Sequence, residues 1–325
     1  LLLNLSIFSH SNRKTDKTNP DMKKKIFFVS GILGIALTLT VFTGCHKDSS
    51  NTPATNNNSN TSSSDITAAQ DESNASDAMN DSKNISDASA QGNGNQYHPG
   101  QNVSAIYSAH CVVTWAKDTL SGYDTMYVNF GATPVKCNDG RWRQGEIIVY
   151  WARKTGSLLH SYFDSASTIT MTFNNYAAGN TDTNMIGIAG NRVWTNTGSN
   201  QMAQQNWNFT ANLTLTYPNK QTATWNSIRT NSLVKVGGVY YYEISGSASG
   251  LDRNNVHYAL TITTPLYVTA LPWWLGGCPW IESGMLNINL ANNVNTLTVN
   301  FGTLGVCTPI KTATYNNHTY TFVMW

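Results

Sequence analysis

Thr168-Ile169-Thr170-Met171-Thr172-Phe173 alternates hydroxylated and apolar residues without a break. Successive side chains of a strand point to opposite faces, so such a run has one face for a core and one for water. The same period of two returns in Leu213-Thr214-Leu215-Thr216-Tyr217, Met285-Leu286-Asn287-Ile288-Asn289-Leu290 and Tyr320-Thr321-Phe322-Val323-Met324. Turn formers fall between these runs, at Asn138-Asp139-Gly140, Ala178-Gly179-Asn180, Pro218-Asn219, Gly237-Gly238 and Asp252-Arg253-Asn254-Asn255. Half-buried strands joined by tight turns are antiparallel. We therefore expect an all-β fold over residues 103–325, about a dozen strands in an antiparallel sandwich or a strongly curved meander.

Hydrophobic residues make up 40% of the 325-residue chain and charged residues only 12%, against about 25% charged in average soluble domains. Neutral polar side chains must keep the folded part in solution. Net charge is +2 and no Lys/Arg block follows residue 26, so the electrostatic footprint of a nucleic-acid binder is missing.

Upstream of the strands the pattern is that of an export address. Met22-Lys23-Lys24-Lys25 and the apolar run 26–42 form the charged and greasy regions of a signal peptide, residues 22–44. A short membrane anchor is the competing reading, and the exit decides between them. Phe42-Thr43-Gly44-Cys45 resembles the bacterial lipobox, with small residues before a cysteine that receives diacylglyceryl. Cys45 is thus the expected lipid-attachment site. Residues 1–21 contain no methionine and precede a full signal peptide, so they read as a misassigned upstream extension. His46-Lys47-Asp48 lacks an acid directly after the cysteine, which favours the outer membrane. From 45 to 102 the chain is Asn, Ser, Thr, Ala, Asp and Gly with almost no branched or aromatic residues, a composition expected to form a disordered tether. Some fifty such residues would reach about 40 Å.

An echo runs through the β region. Val128-Asn129-Phe130-Gly131 recurs as Val299-Asn300-Phe301-Gly302. Cys111 precedes the first copy and Cys137 follows it; Cys278 and Cys307 flank the second. Either two related units open and close the domain, or repetitive β patterns coincide. Four cysteines in an oxidising envelope allow three pairings, and the echo favours Cys111–Cys137 with Cys278–Cys307. No Cys-x-x-Cys pair exists, so no metal site is expected, and no cofactor.

Several segments resemble a family of uncharacterised Bacteroidota cell-envelope lipoproteins. They are Val128-Asn129-Phe130-Gly131, Cys137-Asn138-Asp139-Gly140-Arg141-Trp142-Arg143-Gln144-Gly145, Met171-Thr172-Phe173-Asn174-Asn175-Tyr176, Trp225-Asn226-Ser227-Ile228-Arg229-Thr230, Ile244-Ser245-Gly246-Ser247-Ala248-Ser249-Gly250 and Thr263-Thr264-Pro265-Leu266. The resemblance implies an all-β envelope lipoprotein and brings no activity with it.

No catalytic constellation stands out. His110, His160, His257 and His318 are isolated from carboxylates in sequence, and the acids of the β region, Glu146 among them, are spread singly. Gly246-Ser247-Ala248-Ser249-Gly250 has Ala where a nucleophile elbow needs its serine. Asp139-Gly140 with Arg141 and Arg143 reads as an anion site or, preferably, as a hairpin turn between solvated arginines. Trp225, Ser227 and Arg229 share one strand face, which suits a sugar or, preferably, a Trp–Arg packing pair. Leu271-Pro272-Trp273-Trp274-Leu275-Gly276-Gly277-Cys278-Pro279-Trp280 gathers three tryptophans in a Pro/Gly-rich loop. Trp273, Trp274 and Trp280 are candidate ligand platforms, or else they cap the open end of the core. The functional expectation is an outer-membrane lipoprotein with a non-enzymatic binding or adhesion domain for a glycan or protein. A periplasm-facing structural or assembly role is the alternative, and a secreted hydrolase comes third.

Overall fold

The computed structural model describes residues 66–92, 111–117, 122–152, 162–198, 206–270, 277–291 and 294–324. The upstream extension, the signal peptide, Cys45, His110, His160, Trp273 and Trp274 lie outside the described residues.

Thirteen strands follow the helix α1 (Thr67–Gly92). They are β1 (Val112–Lys117), β2 (Tyr123–Lys136), β3 (Trp142–Ala152), β4 (Thr168–Gly179), β5 (Met185–Asn196), β6 (Asn206–Thr216) and β7 (Thr222–Val236). Then come β8 (Val239–Leu251), β9 (His257–Thr269), β10 (Ser283–Leu290), β11 (Thr296–Asn300), β12 (Ile310–Tyr315) and β13 (His318–Val323). Each pairs antiparallel with its sequence neighbours, so the order in the single sheet is β1 to β13, a meander. The all-β expectation holds, and so does the alternation. In β6, Trp207, Phe209, Ala211, Leu213 and Leu215 are buried while Asn206, Asn208, Thr210 and Asn212 are exposed. Each fully buried large aliphatic or aromatic side chain on such a face contributes about 1.5–3 kcal/mol.

The turns are chemically explicit. Segments 137–141, 217–221 and 252–256 each close with paired backbone bonds, such as Cys137 N–H to Arg141 O at 2.7 Å and Gly140 N–H to Cys137 O at 3.0 Å. In each, the fourth residue (Gly140, Lys220, Asn255) takes positive φ, the signature of a type I turn with a following bulge. Gly237-Gly238 and Asn316-Asn317 have both central residues at positive φ, as a two-residue hairpin whose twist matches the strands requires.

The largest correction concerns the tether. Within 45–102, residues 67–92 are an α-helix whose side chains are buried on nearly every side, with the sheet curled around it. A 26-residue helix spans about 39 Å at 1.5 Å per residue, the length of strands of 11–15 residues at about 3.3 Å each. Its bonds set its direction. Near its start Asp71 meets Tyr217 and Arg253, at the end of the sheet formed by the 217–221 and 252–256 turns. Near its finish Asp87 meets Tyr162, at the opposite end.

Candidate functional site

The sheet interior is lined with arginine and aromatic side chains, and α1 supplies the carboxylates. Arg229, on β7, forms an ion pair with Glu72 and donates to Ser76 Oγ at 2.9 Å. Trp225 Nε1–H donates to the other oxygen of Glu72 at 2.5 Å, and the Arg229 guanidinium lies 5.0 Å from the Trp225 ring. The candidate pair Trp225 and Arg229 is thus brought together, but both are buried and turned to the helix. It is a packing pair with a carboxylate across it, not a platform open to a sugar.

Arg143, fully buried on β3, makes two-pronged contacts with Asp81 (2.7 and 3.2 Å) and with Asp139 (2.9 and 2.5 Å). Arg141 pairs with Asp77 at 2.9 Å. The Asp139-Gly140 segment is therefore the expected hairpin turn, while its arginines point inward instead of being solvated. Burial pushes the Asp77 carboxyl up to about 7 even with Arg141 beside it. Burial also raises Asp81, but Arg143 and Arg141 outweigh it and hold that carboxyl below its usual range. Arg192 donates to the Met79 carbonyl at 2.7 Å and lies over Phe209 at 4.4 Å. With no carboxylate bonded to it among the described residues, burial lowers its pKa to about 10.

Sequence reasoning missed these helix acids, although a signal was present. Arg143, Arg192 and Arg229 sit at inward-facing strand positions, and the acids to match them crowd into 71–87. A buried guanidinium demands a partner.

Of the four cysteines expected to pair, Cys278 and Cys307 form a disulfide with Cα atoms 5.5 Å apart. Cys111 and Cys137 do not: both are buried free thiols. Burial, with Cys137 nearby, pushes the Cys111 thiol up to about 12, and burial raises Cys137 as well. A protonated thiol is a poor nucleophile for exchange. Trp280 is partly buried and packed against the core, which fits capping rather than an exposed platform. Several of the scattered acids are engaged. Asp252 accepts from the Asn254 and Val256 amides, Glu243 from Tyr267, and Glu282 from Thr269 and the Gly305 amide.

One polar cleft lies on the outer face of the sheet. Its volume is about 430 Å³, and Asn129, Gly131, Gln144, Glu146, Asn174 and Asn175 are among its walls. In sequence Asn129 stands out through the echo and the family resemblance, and Glu146 as a lone acid. The cleft exists because three adjacent strands slip register at one level. The breaks fall between Asn129 and Val135 in β2, between Gln144 and Glu146 in β3, and between Thr172 and Ala177 in β4. No family model, curated protein or solved structure matches this chain.

Proposed function

We propose that this is a cell-envelope lipoprotein, acylated at Cys45 in the outer membrane, whose β domain binds a ligand without transforming it. The observation that carries the binding half is how the charges are disposed. Arg141, Arg143, Arg229 and Arg253 are matched with acids of α1, leaving an outer face of Thr, Asn and Ser interrupted by the Glu146 cleft. The anchoring half rests on the signal-like segment 22–44 with its lipobox, on the likeness to Bacteroidota envelope lipoproteins, and on a disulfide suited to an oxidising compartment.

The helix changes the reach of the anchor. Twenty residues separate Cys45 from Ile66, fewer than the fifty expected of the tether. The described part of the β9–β10 connection, with Trp280, lies at the end of the sheet opposite the start of α1.

Periplasmic assembly is the second reading. It is favoured by the two outer strands, β1 and β13, each of which pairs on one side only among the described residues. Protease shaving of intact cells, with lysed cells and a Cys45→Ala strain alongside, separates the two. Loss of the domain in intact cells supports surface binding; protection until lysis moves the assembly reading to first place. A Cys45→Ala protein that stays with the membrane fraction after high-salt washing would refute the anchor.

A further inference from the structure

We propose that the cleft over β2, β3 and β4 binds a neutral saccharide through its hydroxyl groups. The inference deepens the binding-module reading and rests on it. Its geometry is a fixed chain of hydrogen bonds. The Gly131 amide donates to Asn129 Oδ1 at 2.7 Å, and that leaves Asn129 Nδ2 to donate to Glu146 Oε1 at 3.2 Å. From the other side Asn174 Nδ2 donates to Glu146 Oε2 at 3.4 Å, while Asn175 Nδ2 donates to Asn174 Oδ1 at 3.4 Å.

The floor is glycine by necessity. Gly145 has φ 77°, and a Cβ there would lie 2.2 Å from the Asn175 carbonyl oxygen. Bulges leave strand backbone outside the ladder and re-aim side chains, which is why they gather beside binding sites.

The chemistry of the lining selects the ligand. Each carboxylate oxygen of Glu146 has one lone pair taken by an amide and another still able to accept. The flanking carboxamides offer both N–H and C=O. A pair of neighbouring sugar hydroxyls, each able to donate and accept, matches that alternation. An apolar ligand is disfavoured, since small-molecule pockets of about 300–1,000 Å³ that take one are lined mainly by hydrophobic groups. A calcium ion needs about six to eight converging oxygens, whereas Asn129 and Asn174 turn their nitrogens toward Glu146. An organic cation would find a single solvent-facing carboxylate, a pairing of little strength.

The test uses the full chain in detergent micelles, titrated with cellotetraose, maltotetraose and mannotetraose and followed by calorimetry and saturation-transfer NMR. Spermidine and calcium chloride serve as cationic probes. We expect at least one tetrasaccharide to bind, with about tenfold weaker affinity, or about 1.4 kcal/mol, in Glu146→Gln and in Asn175→Gly. Asn175 already has φ 50°, a conformation glycine adopts without strain. That variant decides the matter if Glu146→Gln unfolds. Saccharide binding that survives both substitutions overturns the proposal, as does binding of only spermidine or calcium, or of none of the five probes. Membrane retention through Cys45 is read separately in the same preparations, so failure of the cleft leaves the anchor standing, and failure of the anchor leaves the cleft testable.

Discussion

The two ends of the sheet carry the same phrase and use it differently. In β2, and in β11 with the two residues after it, Val128 and Val299 are buried, Phe130 and Phe301 are buried, and Gly131 and Gly302 have φ 93° and 111°. The side chain of Asn129 caps the Gly131 amide at 2.7 Å, and that of Asn300 caps the Gly302 amide at 2.9 Å. Around this shared device everything else diverges. The first unit keeps its cysteines reduced and sends Arg141 and Arg143 to carboxylates of α1. The last closes Cys278–Cys307 and buries Lys311, whose ammonium donates to the carbonyls of Ile281 and Phe301 at 2.5 and 2.9 Å. Strand length explains the difference. β2 runs for 14 residues, whereas β11 has 5 and meets β12 only at Thr298–Thr314, Val299–Ala313 and Asn300–Thr312. A short ladder with few helix contacts gains most from a covalent clamp; a long one packed on α1 is held by its interior.

The largest effect should separate the two buried cations. Arg143→Ala takes from Asp139 its two-pronged partner and leaves Asp81 with Arg141 at 3.5 Å, and breaking one side of a buried ion pair costs about 3–5 kcal/mol. Lys311→Met removes a cation with carbonyl partners only, whose pKa burial already lowers to about 8 against the pull of Glu282 and Asp77. Its expected cost is about 1–2 kcal/mol, that of unmade neutral-acceptor bonds. Chemical denaturation of both variants at pH 7 measures the gap, and equal losses would break the contrast.

Next in size come the cysteines. Replacing Cys278 and Cys307 together by Ala releases a loop with a sequence separation of 29, worth about 3–4 kcal/mol in the chain-entropy model. Replacing Cys111 and Cys137 together should cost about 1 kcal/mol per thiol, as lost packing alone. Iodoacetamide should label the latter pair only after unfolding. Rapid labelling of native protein, or a larger loss for Cys111 with Cys137 than for Cys278 with Cys307, would contradict the assignment of clamp and core.

What could be read in advance divides along the same physical line. Alternation located the inward faces of strands such as β4 and β6, because each has water on one side. Helix α1 shows no apolar stripe, since it is buried all round against arginine, tyrosine and tryptophan, and a helix with polar surroundings keeps a polar composition. Ser73, Ser76, Ser82, Ser86 and Ser89 are all buried in it, and Ser86 and Ser89 turn their hydroxyls back to carbonyls four residues earlier. In sequence that pattern is the composition of a linker. The shared face of Trp225 and Arg229 was legible from period two; that the face meets Glu72, 157 residues away from Arg229, is a tertiary fact. The cleft was hidden for another reason, since three register slips in separate strands leave no common mark in the chain.

The smallest effect tests the shared phrase itself. Asn129→Ala and Asn300→Ala each leave one glycine amide without its side-chain acceptor, at about 1 kcal/mol apiece. Only Asn129 also touches Glu146, at 3.2 Å on an exposed face. A double-mutant cycle of Asn129→Ala with Glu146→Ala should therefore give a coupling of about 0.5 kcal/mol, while Asn300→Ala with Glu146→Ala should be additive. Equal single costs with unequal couplings would mean that one local backbone device has been kept at both ends, and that the first end alone has extended it into a surface that can hold a ligand. A free Asn300→Ala beside a costly Asn129→Ala would mean the opposite: the two VNFG segments resemble each other in shape, and the cap contributes only where the cleft is built.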